Sequence, residues 1–190
     1  MISLAPERGQ LMGGRLALLM VLCVFPVAGN QANAQMDEYS VKAGYLYNFS
    51  KYVTWPEDAF GAANSPFVIC IVGEDPFEGR VEQAIAGKAS GNGRPLEVRR
   101  MHTTDRAAFQ GCQVVFLSKS EKNRAGEIVA TLKDAPVFTV ADFDSFAEKG
   151  GIADLKIEGT RVKVDLNVNA ANRANLKISA RLQQVATLVP

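Results

Sequence analysis

The sequence predicts a single three-layer α/β/α domain with a mainly parallel sheet and an antiparallel hairpin near the C-terminus. Two apolar runs, at residues 66–70 and 114–117, have the pattern of buried strands, and the second is unbroken, as in a strand buried on both faces. Segments with apolar residues at helical spacing alternate with these runs, which is typical of a parallel sheet covered on both sides. Residues 161–167 instead alternate apolar and charged side chains, as a strand with one buried face does.

The first half of the chain is predicted to contain a long helix and the first two strands. Apolar side chains recur at helical spacing over residues 36–53, and this helix should end before Thr54-Trp55-Pro56 because proline disfavours helix in the preceding residue. The elements that follow are strand, helix, strand and a short helical turn, at residues 67–72, 76–85, 96–100 and 104–109.

The second half is predicted to complete the sheet and to end in a helix. A central strand covers residues 114–117, and Ser120 has the chemistry of an N-cap for a helix that continues to Leu132. The remaining predicted elements are three strands and one long final helix, at residues 136–140, 152–157, 161–167 and 170–188.

Composition excludes several classes of function. The chain has 190 residues, which suits one domain, and a net charge of +1, which leaves no basic surplus for nucleic acid. It contains one histidine and three cysteines, too few for a His-rich or Cys-rich metal site. No glycine-rich segment follows a phosphate-binding pattern, so neither a cofactor nor a metal is predicted.

The N-terminus has the order of a secretory signal peptide. Arg8 and Arg15 precede an apolar run of twelve residues at 16–27, and Ala32-Asn33-Ala34 follows it as a small-x-small cleavage pattern. We therefore expect residues 1–34 to be removed after export and residues 35–190 to form the mature domain. The expected location is the periplasm.

Two cysteines remain after that cleavage, Cys70 and Cys112. Each belongs to a predicted buried strand, and adjacent strands would bring the two sulfur atoms within bonding distance. An oxidising compartment favours one disulfide between them as a structural crosslink. A redox sensor is the alternative, whereas the absence of C-x-x-C argues against a thiol oxidoreductase.

No set of residues assembles into a recognisable active site. Asp142 and Asp144 follow a predicted strand end, where α/β proteins place their sites, but helix capping and turn formation explain them as well. His102 has no nucleophile motif with it and is predicted to lie on the surface. A secreted hydrolase that uses these three residues is therefore the least favoured hypothesis, and no catalytic residue is predicted.

Two groups of residues are candidates for binding. Arg173 and Lys177 are four residues apart on the predicted final helix and would share one face, which with Ser179 and Trp55 would form a ligand pocket. A solvated helix face is the simpler alternative for the two cations. On the strand at residues 161–167, the polar side chains suggest a partner-binding face made of Arg161, Lys163 and Asp165.

The ordered motifs resemble the YfiR family of periplasmic proteins. The resemblance extends from about residue 38 to residue 185, nearly the whole mature chain, and it depends on the order and spacing of segments that are individually weak. These segments are Val41-Lys42-Ala43, Tyr47-Asn48-Phe49, Val53-Thr54-Trp55-Pro56, Cys70-Ile71-Val72-Gly73, Asp75-Pro76-Phe77, Cys112-Gln113-Val114-Val115-Phe116-Leu117-Ser118, Ser120-Glu121, Thr139-Val140-Ala141-Asp142, Phe146 with Gly150-Gly151-Ile152, Asn167 and Leu176-Lys177-Ile178-Ser179.

The resemblance implies a regulatory protein rather than an enzyme. Members of this family bind the periplasmic part of a membrane-bound, YfiN-like diguanylate cyclase and repress it, which lowers cyclic-di-GMP and biofilm formation. A YfiB-like outer-membrane lipoprotein can sequester the repressor. A homodimer is a further expectation for this protein. The alternative is a periplasmic small-ligand sensor or carrier without a cyclase partner. Two departures are a glutamine, Gln183, after Leu182 in place of paired leucines, and the lack of a second cysteine pair near Gly150-Gly151.

Overall fold

The computed structural model describes residues 29–102 and 105–190. Most of the predicted signal peptide, residues 1–28, lies outside the described residues, and the predicted cleavage point after Ala34 falls within the first helix. Thr104, the predicted start of a short helical turn, also lies outside them. The described part of the chain contains no helix that is long and apolar enough to cross a membrane.

In the described part of the chain, the helices after α1 are shorter and more numerous than the sequence pattern predicts. The first helix, α1, is longer, because it begins at Gly29 instead of the predicted residue 36. The α-helices are α1 Gly29–Tyr52, α2 Arg80–Ile85, α3 Ala125–Leu132, α4 Val168–Arg173 and α5 Ala180–Val185. Single 3-10 helices cover Glu57–Ala59, Arg106–Phe109 and Lys119–Arg124.

Among the described residues, the strands form a seven-stranded sheet and a separate two-stranded one. The large sheet has the order β3-β2-β4-β5-β6-β7-β9, and all its neighbouring pairs are parallel except β6 and β7, which form the predicted hairpin. Its strands are β2 Phe67–Val72, β3 Leu96–Met101, β4 Cys112–Leu117, β5 Phe138–Ala141, β6 Ala153–Glu158, β7 Arg161–Asn167 and β9 Thr187–Val189. The small sheet pairs β1 (Val53–Thr54) with β8 (Lys177–Ile178).

The two faces of the large sheet bury different sets of side chains. In β2, Phe67, Ile69 and Ile71 pack into one apolar core with α1, α2, α4 and α5, whereas Val68, Cys70 and Val72 face α3. All six side chains are buried, which explains the unbroken apolar run in the sequence. Helices therefore cover both faces, and the predicted three-layer α/β/α architecture is confirmed.

A disulfide joins Cys70 and Cys112, as predicted. The two residues lie on the neighbouring parallel strands β2 and β4, with their Cα atoms 5.9 Å apart, and both side chains are buried in the core on the α3 side. A shift of register between Val68 and Ile69 accompanies the crosslink. The bond closes a loop between two residues that are 42 positions apart in the sequence.

The single helix predicted over residues 170–188 is wrong. The α4 helix ends at Arg173, and Asn175 follows with a φ of +56°, a left-handed conformation that ends helices. Lys177 and Ile178 then extend to pair with β1, and the Ser179 side chain accepts the Leu182 N–H to cap α5. The sequence between Arg173 and Ser179 therefore forms a turn and a short strand instead of a helical face.

Ser120 is not the N-cap that the sequence suggests. It lies inside the 3-10 helix Lys119–Arg124, and the longer α3 begins only at Ala125. Its hydroxyl oxygen accepts the N–H of Glu74 from across the sheet edge at 3.0 Å. The serine therefore ties together two loops that follow neighbouring strands.

Candidate functional site

The carboxyl ends of β2 and β4 meet at the point where the chain changes direction across the sheet. The β3 strand pairs with one side of β2, and β4 pairs with the other side. Such a switch point is the usual ligand crevice of an open α/β sheet. Here Ser118 and Ser120 fill it, with their hydroxyl oxygens 2.8 Å apart. A Cβ at Gly73 would overlap both serines, so the crevice is closed at this point.

A buried polar cluster lies one strand further along the same edge. Asp142 directly follows β5, and its Oδ2 accepts a hydrogen bond from the Tyr39 hydroxyl of α1 at 2.8 Å. The Lys42 ammonium lies 3.8 Å from the same oxygen and 2.5 Å from Oε1 of Glu38. Lys42 is only 1% exposed and Asp142 only 4%, so this is an ionic cluster within the core. We call Glu38, Tyr39, Lys42 and Asp142 the carboxyl-edge cluster.

The cluster provides a hydrogen bond to only one of the two carboxylate oxygens of Asp142. Asp142 Oδ1 is buried and has no hydrogen-bond partner among the described residues. Burial raises the pKa of Asp142, and the hydrogen bond from Tyr39 and the charges of Lys42 and Lys119 oppose that rise. Burial also raises the pKa of Tyr39, and the neighbouring Asp142 charge adds to it. Tyr39 is therefore a permanent hydrogen-bond donor in this site.

A second pair of buried carboxylates lies close by. Asp154 of β6 is level with Ala141, the last residue of β5, and it accepts the backbone N–H groups of Phe146 and Ala147 at 3.2 and 2.6 Å. It faces Asp165 across the β6–β7 hairpin. Burial raises the pKa of Asp154 to about 6, with a further contribution from the Asp165 charge. This edge of the sheet therefore concentrates buried acidic groups.

A cavity of about 400 Å³ opens onto the carboxyl-edge cluster. Asp142, Lys42 and Glu38 line its inner side, and Lys119 and Lys122 lie on its exposed rim. Its apolar wall consists of Phe143, Leu155 and Ile157.

A larger cleft of about 1020 Å³ lies at the opposite, amino-terminal edge of the sheet. Trp55 lines it, but the indole N–H is already used in a hydrogen bond to the Gln113 carbonyl oxygen at 3.2 Å. Arg94 also lines it, with its guanidinium 4.0 Å from the centre of the Phe60 ring and two hydrogen bonds to backbone carbonyls. The polar groups of Trp55 and Arg94 in this cleft are therefore engaged by the protein itself.

The structure does not bring together the four residues predicted to bind a ligand. Trp55 lines the amino-edge cleft, whereas Arg173 lines a different cavity, on the outer side of α3 and α4. Lys177 lies in β8 rather than on a helix, so the expected shared face with Arg173 is wrong. Ser179 caps α5 and donates its backbone N–H to the Tyr52 carbonyl oxygen. Ligand binding by these residues stays a prediction, without a common pocket.

The predicted partner face is only partly exposed. Arg161 and Lys163 are exposed on β7, but Asp165 is buried and forms an ion pair with Lys156 at 2.8 Å. The alternating pattern assigned Asp165 to the polar face correctly, but it did not reveal that the loop at residues 146–147 packs near this part of the hairpin. A charge reversal at Asp165 would therefore disturb the fold as well as the surface.

The residues considered for catalysis do not form a group. His102 is exposed after β3, Asp144 is exposed, and Asp142 is buried in the carboxyl-edge cluster. In the part of the chain that the structure describes, no three His, Cys, Asp or Glu side chains are arranged to hold a metal ion.

Sequence reasoning singled out Asp142 but missed Tyr39 and Lys42. The sequence contains one signal that could have revealed Lys42. Residues 39, 42, 46 and 49 form a buried stripe of α1, and Lys42 is the charged residue in that stripe. A lysine at such a position needs a buried counter-ion.

The family comparison agrees with the order of motifs in the chain. The profile of the YfiR/HmsC-like family matches residues 39–187, which is most of the sequence. The chain belongs to the YfiR/HmsC-like family. This family is regulatory rather than catalytic, and membership is consistent with a regulatory role in cyclic-di-GMP signalling. No curated protein sequence matches this YfiR/HmsC-like chain.

Solved structures with a similar fold are distant in sequence. One is an ABC domain in complex with L-Trp from Streptococcus pneumonia, with a TM-score of 0.56 and 13% identity, over 77% of this chain and 60% of that one. Another is a conserved domain protein from Vibrio cholerae, with a TM-score of 0.50 and 12% identity, over 65% of this chain and 54% of that one. The chain thus spans less than two thirds of either relative, and the likeness concerns the fold alone.

Proposed function

We propose that this YfiR/HmsC-like protein is a periplasmic regulator that binds the periplasmic domain of a YfiN-like, membrane-bound diguanylate cyclase and represses it. The observation that carries the proposal is the family match over residues 39–187. The signal-peptide pattern in residues 1–34 supports the location, because the protein would share a compartment with that domain.

The surface that we assign to the partner is the exposed part of the β6–β7 hairpin. Arg161 and Lys163 are exposed on one face of this hairpin, and Ile157, which pairs with Val162, lies on the opposite face. Two exposed cations on one face would complement an acidic surface on the partner. Asp165 is left out of this surface because it is buried.

The proposal is tested with the mature protein, residues 35–190, as bait on detergent-solubilised membranes from the native organism. We expect a diguanylate cyclase with a periplasmic domain to be retained and identified by mass spectrometry. Adding the protein to that cyclase should then lower its synthesis of cyclic-di-GMP from GTP. A cyclase that is retained but not inhibited, or the absence of any cyclase, would contradict repression.

A matched pair of variants tests the proposed surface. Arg161→Glu/Lys163→Glu should weaken cyclase binding at least tenfold, since it reverses two charges at the contact. Lys133→Glu/Lys149→Glu reverses two exposed charges elsewhere and should leave binding unchanged. Equal effects of the two double variants would place the contact outside the hairpin. A YfiB-like lipoprotein partner and a homodimer remain predictions, to be checked by titration and by analytical ultracentrifugation.

The amino-edge cleft supports a second candidate function, a small-ligand sensor. Its volume of about 1020 Å³ is at the upper end of the range for small-molecule sites. Calorimetric titration with amino acids and nucleotides tests this function, and a heat signal lost in Trp55→Ala would support it. No heat from any of them would exclude a sensor for these two ligand classes.

A further inference from the structure

The carboxyl-edge cavity contains a hydrogen-bond acceptor that the protein itself does not use. Asp142 Oδ1 lies in a side chain that is fully buried, yet it lacks a partner among the described residues, while Oδ2 is bonded to Tyr39. A buried acceptor without a partner costs about 1–3 kcal/mol, so it is a place where a bound donor has much to gain. Asp142 is one of the residues that line the cavity. Its side chain is closed to solvent, so a ligand donor reaches Oδ1 only when the side chains that cover it move aside.

A cationic or hydroxyl donor suits this end of the cavity best. A carboxylate accepts hydrogen bonds and repels anions, and Tyr39 already supplies the donor on its other oxygen. The Lys42 ammonium is bonded to Glu38 at 2.5 Å and lies 3.8 Å from Oδ2, not on Oδ1. An ammonium or hydroxyl group on the ligand therefore matches this end of the cavity.

The rim of the cavity favours an anionic group, in contrast to the Asp142 end, which favours a hydrogen-bond donor. Lys119 and Lys122 are both exposed, and neither forms an ion pair in the described part of the chain. Of the four lysines that line the cavity, Lys42 is paired with Glu38, and Lys156 is paired with Asp165 and Glu158. Lys119 lies 6.0 Å from the centre of the Tyr39 ring, and the exposed Asp144 also lines the cavity. The two ammonium groups of Lys119 and Lys122 outnumber that carboxylate, so they attract a carboxylate or another small anion to the cavity mouth.

The two ends together define a ligand with a donor and an anionic group close to each other. The cavity of about 400 Å³ is at the lower end of the range for small-molecule sites, and its apolar wall suits a short carbon skeleton. The position at the carboxyl end of β4 and β5 is where open α/β sheets bind ligands. The switch point at Gly73 is closed, and this cavity lies next to it on the same edge of the sheet.

The geometry points to a binding site for a small α-amino or α-hydroxy carboxylic acid, whose ammonium or hydroxyl group donates to Asp142 Oδ1 and whose carboxylate lies between Lys119 and Lys122. This site adjoins the hairpin assigned to the cyclase, because Lys156 and Ile157 of β6 line the cavity. Its residues are assigned from the cavity and its hydrogen bonds, so the site does not depend on cyclase repression.

Four matched probes test the site by NMR titration of the isotope-labelled mature protein with its disulfide intact. L-alanine and L-lactate have both groups and differ only in the donor, propionate lacks the donor, and ethylamine lacks the carboxylate. We expect L-alanine or L-lactate to shift the amide signals of residues 119–122 and 142–144, and to bind at least tenfold more tightly than propionate and ethylamine. Whichever of the two binds more tightly identifies the donor.

Two variants locate the binding. Asp142→Asn should weaken it about tenfold or more, which corresponds to the loss of a hydrogen bond to a charged group. Lys119→Met/Lys122→Met should weaken it by a similar factor, and because both side chains are exposed this variant should fold normally even if Asp142→Asn does not. Propionate binding as tightly as L-alanine, no binding of any probe, or binding unchanged in the lysine variant would each overturn the assignment.

Discussion

The two ends of the parallel sheet are fixed by different kinds of contact. At the amino end, Gln113 bridges two segments by accepting the Val68 N–H and donating to the Ala59 carbonyl oxygen, and the disulfide joins β2 to the first residue of β4. These contacts are neutral or covalent. At the carboxyl end, Lys42, Glu38 and Asp142 place charges inside the core.

Of the two cavities, the larger one is not the one with the unused acceptor at Asp142. The amino-edge cleft has more than twice the volume of the carboxyl-edge cavity, about 1020 Å³ against 400 Å³. Its Trp55 and Arg94 side chains are bonded to the protein, whereas Asp142 at the other edge has an unused acceptor. An unused buried acceptor indicates that a ligand must supply a hydrogen-bond donor, whereas the volume of a cavity gives no such information.

Removing the disulfide should have the largest effect on stability. Cys70→Ala/Cys112→Ala releases a loop of 42 residues in sequence separation, and the loop-entropy relation assigns up to about 4 kcal/mol to such a crosslink. Urea unfolding of the variant beside the oxidised wild type measures the difference. A loss below about 1 kcal/mol would mean that the amino end does not depend on its covalent bond.

Breaking the carboxyl-edge cluster should cost slightly less. Lys42→Met leaves Asp142 and Glu38 without their buried counter-ion, and breaking a buried ion pair costs about 3 kcal/mol or more. Lys122→Met, on the exposed rim of the same cavity, is the control and should change stability by less than about 0.5 kcal/mol. Equal unfolding free energies of the two variants would show that the cluster does not hold this end together.

The carboxyl end should also be the pH-sensitive one. Because the pKa of Asp154 is raised to about 6 in the folded state and is about 3.9 in an unfolded chain, the native protein binds more protons between these values. Its stability should therefore fall as pH rises from about 4 to 6, by about 2 kcal/mol relative to Asp154→Asn. The control is Asp144→Asn, at an exposed carboxylate, whose curve of unfolding free energy against pH should run parallel to that of the wild type. If the Asp154→Asn curve were also parallel to the wild type, Asp154 would not be the source of the pH dependence.

The smallest effect is expected at the neutral amino end. Trp55→Phe keeps an aromatic ring beside Phe67 but removes the hydrogen bond to the Gln113 carbonyl oxygen, at a cost of about 1 kcal/mol. The loss should be the same at pH 4 and pH 7, since no titrating group takes part. If the loss of unfolding free energy in Trp55→Phe depended strongly on pH, the amino end would be as sensitive to pH as the carboxyl end.

Much of the fold was predictable because its strands carry local signals. The β2 and β7 strands lie at the predicted residues 67–72 and 161–167, since an unbroken apolar run and a strict alternation each report burial directly. The final helix failed because Leu176, Leu182 and Val185 keep helical spacing across a break. That break depends on the left-handed Asn175 and on pairing with residues 53–54, more than a hundred positions away.

The candidate site was predictable only at one of its members. Asp142 could be singled out because it follows a strand end, which is a local feature. Its contact with Tyr39 joins residues that are 103 positions apart, and no periodicity reports such a contact. Likewise, the burial of Asp165 depends on neighbours beyond its own strand.

The most direct test of the regulatory role is the level of cyclic-di-GMP in living cells. The gene is deleted, and the strain is complemented either with the full chain or with residues 35–190, which lack the predicted signal peptide. We predict that deletion raises cyclic-di-GMP and that only the full chain restores the original level. An unchanged level after deletion, under conditions in which the protein is produced, would contradict repression of a cyclase.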